Sequence, residues 1–262
     1  MSCQRGILIL MRHGATSGGT GKAIGRTPLP LSREGWRQAH DLAHCLLDTR
    51  AENLTEKLPT NPETVLSACR MPRPPRFSSA PASGTTQAAS PGRRFPLRAI
   101  YSSPAQRCQD TLAPLTAQLA HDKTLVPRIV PGLDEIDLGI WENCRFTDIL
   151  ARFPQAYAAR GNDMAHVAPE GGETFSQVAE RVWTAVSRIA AGPLPALAVT
   201  HAGCLRTVLC RLTDTPLAEV MRFSPPPAHA VALLVHHGAI SLLDANIPAW
   251  ELGPRLYAGE YS

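Results

Sequence analysis

The sequence predicts an α/β fold, with a mostly parallel central sheet flanked by helices. Two stretches carry that reading. Ile7 to Gly14, ILILMRHG, is an apolar run too short for a helical period that ends abruptly in an arginine, a histidine and a glycine. Such a run reads as a strand buried on both faces, and open α/β sheets bind ligands just past the carboxyl ends of such strands. Leu197 to Gly203, LAVTHAG, repeats the design, with His201 at the strand exit followed by Ala202, Gly203 and a helical pattern.

Composition bounds the rest. A chain of 262 residues with 44% hydrophobic and 18% charged residues suits one α/β domain carrying an insertion, and suggests neither a fibre nor a membrane protein. The apolar run Gly6 to Met11 is too short to span a bilayer or to form a signal-peptide core, so a cytoplasmic location is expected. Seven scattered cysteines without a C-x-x-C pair read as reduced thiols.

Taken in order, Ala15 to Ser32 is a Gly-, Thr- and Pro-rich loop whose amides and hydroxyls, Thr16 and Gly25 among them, are available to line an anion pocket. Ser32 caps a helix from about Arg33 to Asp48 with Trp36, Ala39, Leu42, Ala43, Leu46 and Leu47 as its buried stripe. His40 and His44 share one face of it and, lacking a third ligand, read as surface residues. From Ala51 to Leu97 the composition shifts: eight of the 24 prolines lie here, and Ser78 to Gly92 offers almost nothing to bury. Such a segment cannot offset its own ordering entropy, so most of it reads as a mobile insertion. It carries Lys57, Arg70, Arg73, Arg76, Arg93 and Arg94 against Glu52, Glu56 and Glu63, which is +3 of the chain's net +4. The positive charge therefore describes the insertion and gives no reason to expect a nucleic-acid partner.

Arg98 to Tyr101 resumes the sheet, and Ala105 to Ala120 is helical with Leu112, Leu115 and Leu119 on one side. Arg107 falls in the first turn of that helix, where the partial positive charge of the helix end also favours phosphate. Val126 to Val130 is a short strand, followed by the acidic turn LDEIDLGIWEN, whose Asp134, Glu135, Asp137 and Glu142 composition alone does not rank. Phe146 to Tyr157 is weakly helical; Glu173 to Ala191 is an amphipathic helix with Phe175, Val178, Val182, Val186 and Ile189 inward, and Glu173 either hydrogen-bonds into the site or starts the helix, the latter being favoured. The strand Ala196 to Thr200 delivers His201, and a helix from Cys204 to Leu212 follows. Ala228 to Val235 and Ala239 to Leu243 form a hairpin around His236-His237-Gly238, and the tail from Asn246 reads as irregular.

A guanidinium with a fixed fork of donors beside an imidazole that is nucleophilic at neutral pH suits a dianionic phosphoryl group. Gly14 is expected to let the backbone turn away and approach the ligand closely. The motifs RHG, SSPAQR, LDE followed by G, and THAG, in this order, resemble the histidine phosphatase superfamily, the phosphoglycerate-mutase-like proteins. That resemblance implies a three-layer sandwich and a site built from Arg12, His13, Arg107, Glu135 and His201. His13 would be the nucleophile that forms a phosphohistidine. Glu135, in the context Leu133, Glu135, Gly139, would be the proton donor. Arg12, Arg107 and His201 would bind the phosphoryl group, with Thr16, Gly25 and Ala202 beside them.

No cofactor is implied and no metal set stands out, there being no D-x-D pair or H-E-x-x-H, so turnover in the presence of a chelator is expected. Glu135 and His201 lie only 66 positions apart, without the longer basic, aromatic stretch that mutases of the family place there, so a phosphatase is favoured over a mutase. IGRTPLPLSREGWRQA, WEN and PEGGE resemble the α-ribazole phosphatase branch, which acts in cobalamin assembly, although Gly19 stands where an asparagine is usual. The expected partner is a small phosphate ester, with no membrane and with a homo-oligomer left open. The alternative from another class is a non-catalytic phosphate-binding or scaffold protein. The presence of both His13 and Glu135 weighs against it.

Overall fold

A computed structural model describes residues 5–47 and 95–257, and the expected insertion up to residue 94 lies outside the described residues. Strands β1 (Arg5–Arg12), β2 (Ala99–Ser102), β3 (Arg128–Ile129), β4 (Ala196–Thr200), β5 (His229–His236) and β6 (Ala239–Pro248) form one sheet in the order β3-β2-β4-β1-β5-β6. The first four in that order run parallel, whereas β5 is antiparallel to β1 and β6 antiparallel to β5. The antiparallel pair follows from its connection. His237 and Gly238 both adopt positive φ, 51° and 80°, in a two-residue turn, and so short a link joins only antiparallel strands.

The helices are α1 (Arg33–Leu47), α2 (Gln106–Gln118), α3 (Phe146–Arg152), α4 (Pro154–Asn162), α5 (Phe175–Ala190), α6 (Ala202–Leu212) and α7 (Leu252–Tyr257). The period of two along β1 divides its side chains between two cores. Leu8 and Leu10 pack with α5 and α6, while Ile7, Ile9 and Met11 pack with α1, α2 and α7. Both faces are therefore covered, which is why the strand shows no polar alternation and why the fold has three layers. Burying each of these side chains contributes roughly 1.5–3 kcal/mol, so β1 anchors the sheet.

Several expectations are corrected. Trp36 is 40% exposed, and Gly35 occupies the buried stripe instead. A Cβ at Gly35 would lie 2.0 Å from the Ala15 carbonyl oxygen, so α1 presents its backbone, not an indole, to the strand exit. Gly14 serves the same contact, its missing Cβ leaving room for the Gly35 carbonyl at 2.8 Å; it clears a helix rather than a ligand. Phe95 and Leu97, assigned by composition to the insertion, pack into the core, and the Phe95 amide donates to the Leu46 carbonyl at 2.9 Å. Glu173 does not start α5: Thr174 is its N-cap, in a capping box with Gln177. The tail is not irregular, since β6 runs to Pro248 and α7 follows, with Leu252 and Leu256 buried. Among the described residues no helix is long and apolar enough to cross a membrane, and the five described cysteines are free thiols.

Candidate active site

Parallel pairing places the carboxyl ends of β2, β4 and β1 side by side, so the residues leaving these strands converge. The amide of His13 donates to the Thr200 carbonyl, and that of Ser103 to the Val199 carbonyl, each at 2.9 Å, which carries the sheet register one residue past its strands. The rings of His13 and His201 then meet edge to face with centroids 5.2 Å apart. Residues nearly 190 positions apart are thereby brought together.

Each ring is fixed in one tautomer. His13 Nδ1 lies 2.7 Å from the Gly14 carbonyl oxygen, which can only accept, so Nδ1 carries the proton and Nε2 keeps its lone pair. Burial, followed by the charges of Arg12 and Arg107, pushes the His13 pKa down to about 3, so the ring is neutral. His201 is completely buried, and burial together with its cationic neighbours holds it far below the usual histidine range. Its Nδ1 accepts from Arg107 Nη2 at 3.1 Å and its Nε2 donates to Ser103 Oγ at 2.7 Å. Ser103 in turn donates to Asp134 Oδ1 at 3.2 Å. The sequence reading casts His201 as a donor to the anion. In the structure both of its ring nitrogens are engaged by protein groups, Nδ1 by Arg107 and Nε2 by Ser103.

The two guanidiniums are held by carbonyl oxygens. Arg107, 2% exposed in the first turn of α2, donates to Gly25 O at 2.7 Å and Thr27 O at 3.0 Å. Arg12 donates to Pro225 O at 2.9 Å. Among the described residues, the Nε of each is buried without a hydrogen-bond partner, and neither forms an ion pair. Burial lowers the Arg12 pKa, an effect offset by the charge of Glu135 and reinforced by Arg206 and Arg107.

Composition did not separate the acids of the LDEIDLGIWEN turn, and the structure does. Glu135 faces the cleft, and its carboxylate accepts from the amide of Ile136 at 3.0 Å and from that of Gly203, in the first turn of α6, at 3.1 Å. Glu142 points instead into the 25–27 loop, accepting from the amides of Gly25, Arg26, Thr27 and Leu138 and from the Thr27 hydroxyl. Burial opposes its charge, but these donors outweigh burial and hold its pKa below the usual carboxylate range. Asp134 receives the Ser103 hydroxyl, and Asp137 accepts from Arg26. Glu173 grips Arg181 through two oxygens at 2.9 Å, and Arg181 donates to the carbonyls of Gly132, Asp134 and Glu135. That pair shapes the acidic turn.

A cleft of about 640 Å³ opens over these groups and is lined by Arg12, His13, Arg107 and Glu135. Thr16 and Ala202 line it as well, whereas Gly25 does not: its carbonyl and amide are spent on Arg107 and Glu142. The outer walls, which the sequence did not reveal, include Trp141, Phe146, Tyr157 and Phe175 with Met164 and Met221. Among the described residues no group of three or more His, Cys, Asp or Glu side chains is arranged to hold a metal ion, and His40 and His44 are exposed.

Known proteins resemble this chain in sequence and in fold. The family model of the histidine phosphatase superfamily (branch 1) matches residues 82–248, a stretch that holds Arg107, Glu135 and His201. The adenosylcobalamin/alpha-ribazole phosphatase of Escherichia coli (strain K12) is 29% identical over 134 residues, 50% of this chain and 61% of that protein. A metal-independent phosphoserine phosphatase of Arabidopsis thaliana is 32% identical over 127 residues, 46% of this chain and 50% of the relative. These matches thus span no more than about three fifths of either relative's length. Among solved structures, the alpha-ribazole phosphatase of Shigella flexneri superimposes with a TM-score of 0.64 at 22% identity, covering 92% of this chain and 96% of the other, a likeness of fold.

Proposed function

Because the chain belongs to the histidine phosphatase superfamily (branch 1), we propose that it is a phosphomonoesterase that passes the phosphoryl group of a small metabolite first to His13 and then to water. One observation carries the reading: the Nε donors of Arg12 and Arg107 are buried and unpartnered on a cleft that also presents the neutral His13 ring. The nonbridging oxygens of a phosphoryl group supply the missing acceptors, and the guanidiniums stabilise the charge those oxygens carry during transfer.

In the first step His13 Nε2 attacks phosphorus, the bond from phosphorus to the ester oxygen breaks, and Glu135 gives its proton to the departing oxygen. In the second, Glu135 takes a proton from water as the water oxygen attacks phosphorus. The phosphorus–nitrogen bond breaks, inorganic phosphate leaves, and the ring returns to its starting tautomer. Ser103 and Asp134 act behind His201, which supports Arg107. None of these steps needs a metal, and the rate is expected to be insensitive to chelator.

Water is favoured over a second alcohol as the acceptor because the short interval between Glu135 and His201 supplies no additional basic segment over the cleft. The aromatic walls accommodate a ring-bearing alcohol, and the names of the relatives make α-ribazole 5′-phosphate the first ester to assay; with that substrate the protein acts in cobalamin assembly, in the cytoplasm. The test is hydrolysis of p-nitrophenyl phosphate by the wild type and by His13→Ala, with phosphohistidine trapped on the wild type by rapid quench at alkaline pH. A loss of about 10³-fold or more in the variant is expected for removal of a nucleophile. Equal rates for the two proteins would exclude the mechanism.

A further inference from the structure

One side chain outside the cleft wall joins the two halves of the site. Arg26 lies between Gly25 and Thr27, whose carbonyls hold Arg107, and its own guanidinium points instead to the acidic turn. There its Nε donates to the Glu135 carbonyl at 3.2 Å and its Nη1 to Asp137 Oδ2 at 3.3 Å. Its Nη2 lies 3.1 Å from Glu173 Oε2, and Asp134 Oδ2 is 3.8 Å from its Nε. Three consecutive residues thus hold the phosphoryl-binding arginine on one side and the main chain of the proton donor on the other.

The surroundings of Glu135 give that second contact its meaning. The Glu135 carbonyl accepts from Arg26 and also from Arg181 Nη2 at 3.0 Å, while its amide donates to Asp134 Oδ1 at 2.9 Å. Both peptide groups flanking its Cα are therefore fixed, and only side-chain torsions remain to aim the carboxyl group. The two guanidiniums differ in origin. Arg181 belongs to α5 and ties the turn to the helical layer, whereas Arg26 belongs to the loop that carries the acceptors of Arg107. A planar fork with one donor on a carbonyl and others on carboxylates is a geometry that a single ammonium reproduces only in part. We infer that Arg26 is a positioning residue for Glu135, keeping the proton donor at a fixed spacing from the phosphoryl group that Arg107 binds. This role rests on the phosphomonoesterase reading above.

The test measures kcat/KM, which covers the steps up to release of the alcohol, on phenyl phosphate and on p-nitrophenyl phosphate. Phenolate is the poorer leaving group and depends on the proton of Glu135, whereas p-nitrophenolate leaves without it. In Arg26→Gln the loss on phenyl phosphate should exceed that on p-nitrophenyl phosphate by about tenfold. That is less than the loss on the order of 10²-fold that a full ångström of misplacement causes, because Arg181 still holds the turn. Inhibition by inorganic phosphate should stay as in the wild type, since Glu142 keeps the 25–27 loop in place. Arg26→Lys retains the charge and should recover part of the phenyl phosphate rate. Equal losses on the two esters, or a loss of thermal stability alone, would overturn the inference, because a purely structural ion cluster does not distinguish leaving groups. Should Arg26→Gln fail to fold, the same ratio in Arg26→Lys decides. Hydrolysis by the wild type with an unchanged ratio in the variants refutes the role of Arg26 alone; absence of any hydrolysis by the wild type refutes the phosphatase reading and this inference with it.

Discussion

Gly203→Ala separates folding from chemistry at one atom. An alanine Cβ at position 203 would stand 2.3 Å from Glu135 Oε1 and 3.3 Å from its Cδ, with the Ile136 Cγ2 at 3.7 Å. The φ of Gly203 is not positive, and alanine is favoured over glycine inside a helix by about 1 kcal/mol. The backbone therefore tolerates the change, and the offending atom is the end of a flexible side chain. Relief requires the carboxylate to move about 1 Å and to give up the Gly203 amide. A misplacement of that size in a catalytic group costs on the order of 10²-fold in rate. The loss should depend on the leaving group: large for an alkyl phosphate, whose alkoxide needs the proton of Glu135, and small for p-nitrophenyl phosphate, whose phenolate leaves without help. Steady-state kcat on both esters, with thermal melts of both proteins, makes the measurement. Equal losses on the two esters, or a collapse of the melting temperature, would show that Gly203 does not act through Glu135.

Other consequences follow from the same geometry. The pKa of His13 falls from 6.5 to about 3 on folding. Above pH 6.5 the ring is neutral in both states. Between 6.5 and about 3 the unfolded chain takes up the proton first, and stability is lost at about 1.4 kcal/mol per pH unit. His201 shifts in the same direction, so urea unfolding of His13→Asn should show a shallower decline over that window, though not a flat one. Glu142→Gln replaces an acceptor-only carboxylate with a group that is half donor, which loosens the 25–27 loop and the carbonyls that hold Arg107. Inhibition by inorganic phosphate should weaken about tenfold, and unchanged inhibition would show that the loop stands without Glu142.

What could be read from the chain depended on whether a residue's role was decided locally. β1 and β4 were legible because a strand buried on both faces leaves an uninterrupted apolar run, and their exits pointed to Arg12, His13 and His201. The stripe of α1 was misread by one position, since an exposed tryptophan beside a buried glycine reverses the usual order of hydrophobicity; only the approach of Ala15 to within van der Waals distance of Gly35 explains it. Glu135 and Glu142 lie on one acidic turn with opposite assignments, one facing the cleft and the other the 25–27 loop, and nothing in composition distinguishes them. Arg206 and Arg181 were invisible for a related reason: their partners are backbone carbonyls 17 and 46 or more positions away. PEGGE held a signal for Glu173, but its partner Arg181 lies eight residues on, across the start of a helix, beyond the reach of a capping rule.

The hydrogen bond from Phe95 to Leu46 makes α1 and the approach to β2 neighbours in space. The ends of the two described segments meet there, 47 beside 95, so a short link could stand in place of the stretch from 48 to 94. It can therefore be exchanged as a cassette. Replacing it with a short glycine-serine turn should leave kcat on p-nitrophenyl phosphate within about twofold, because the cost of closing a loop depends only weakly on its length. The same junction then offers a place to graft a foreign peptide.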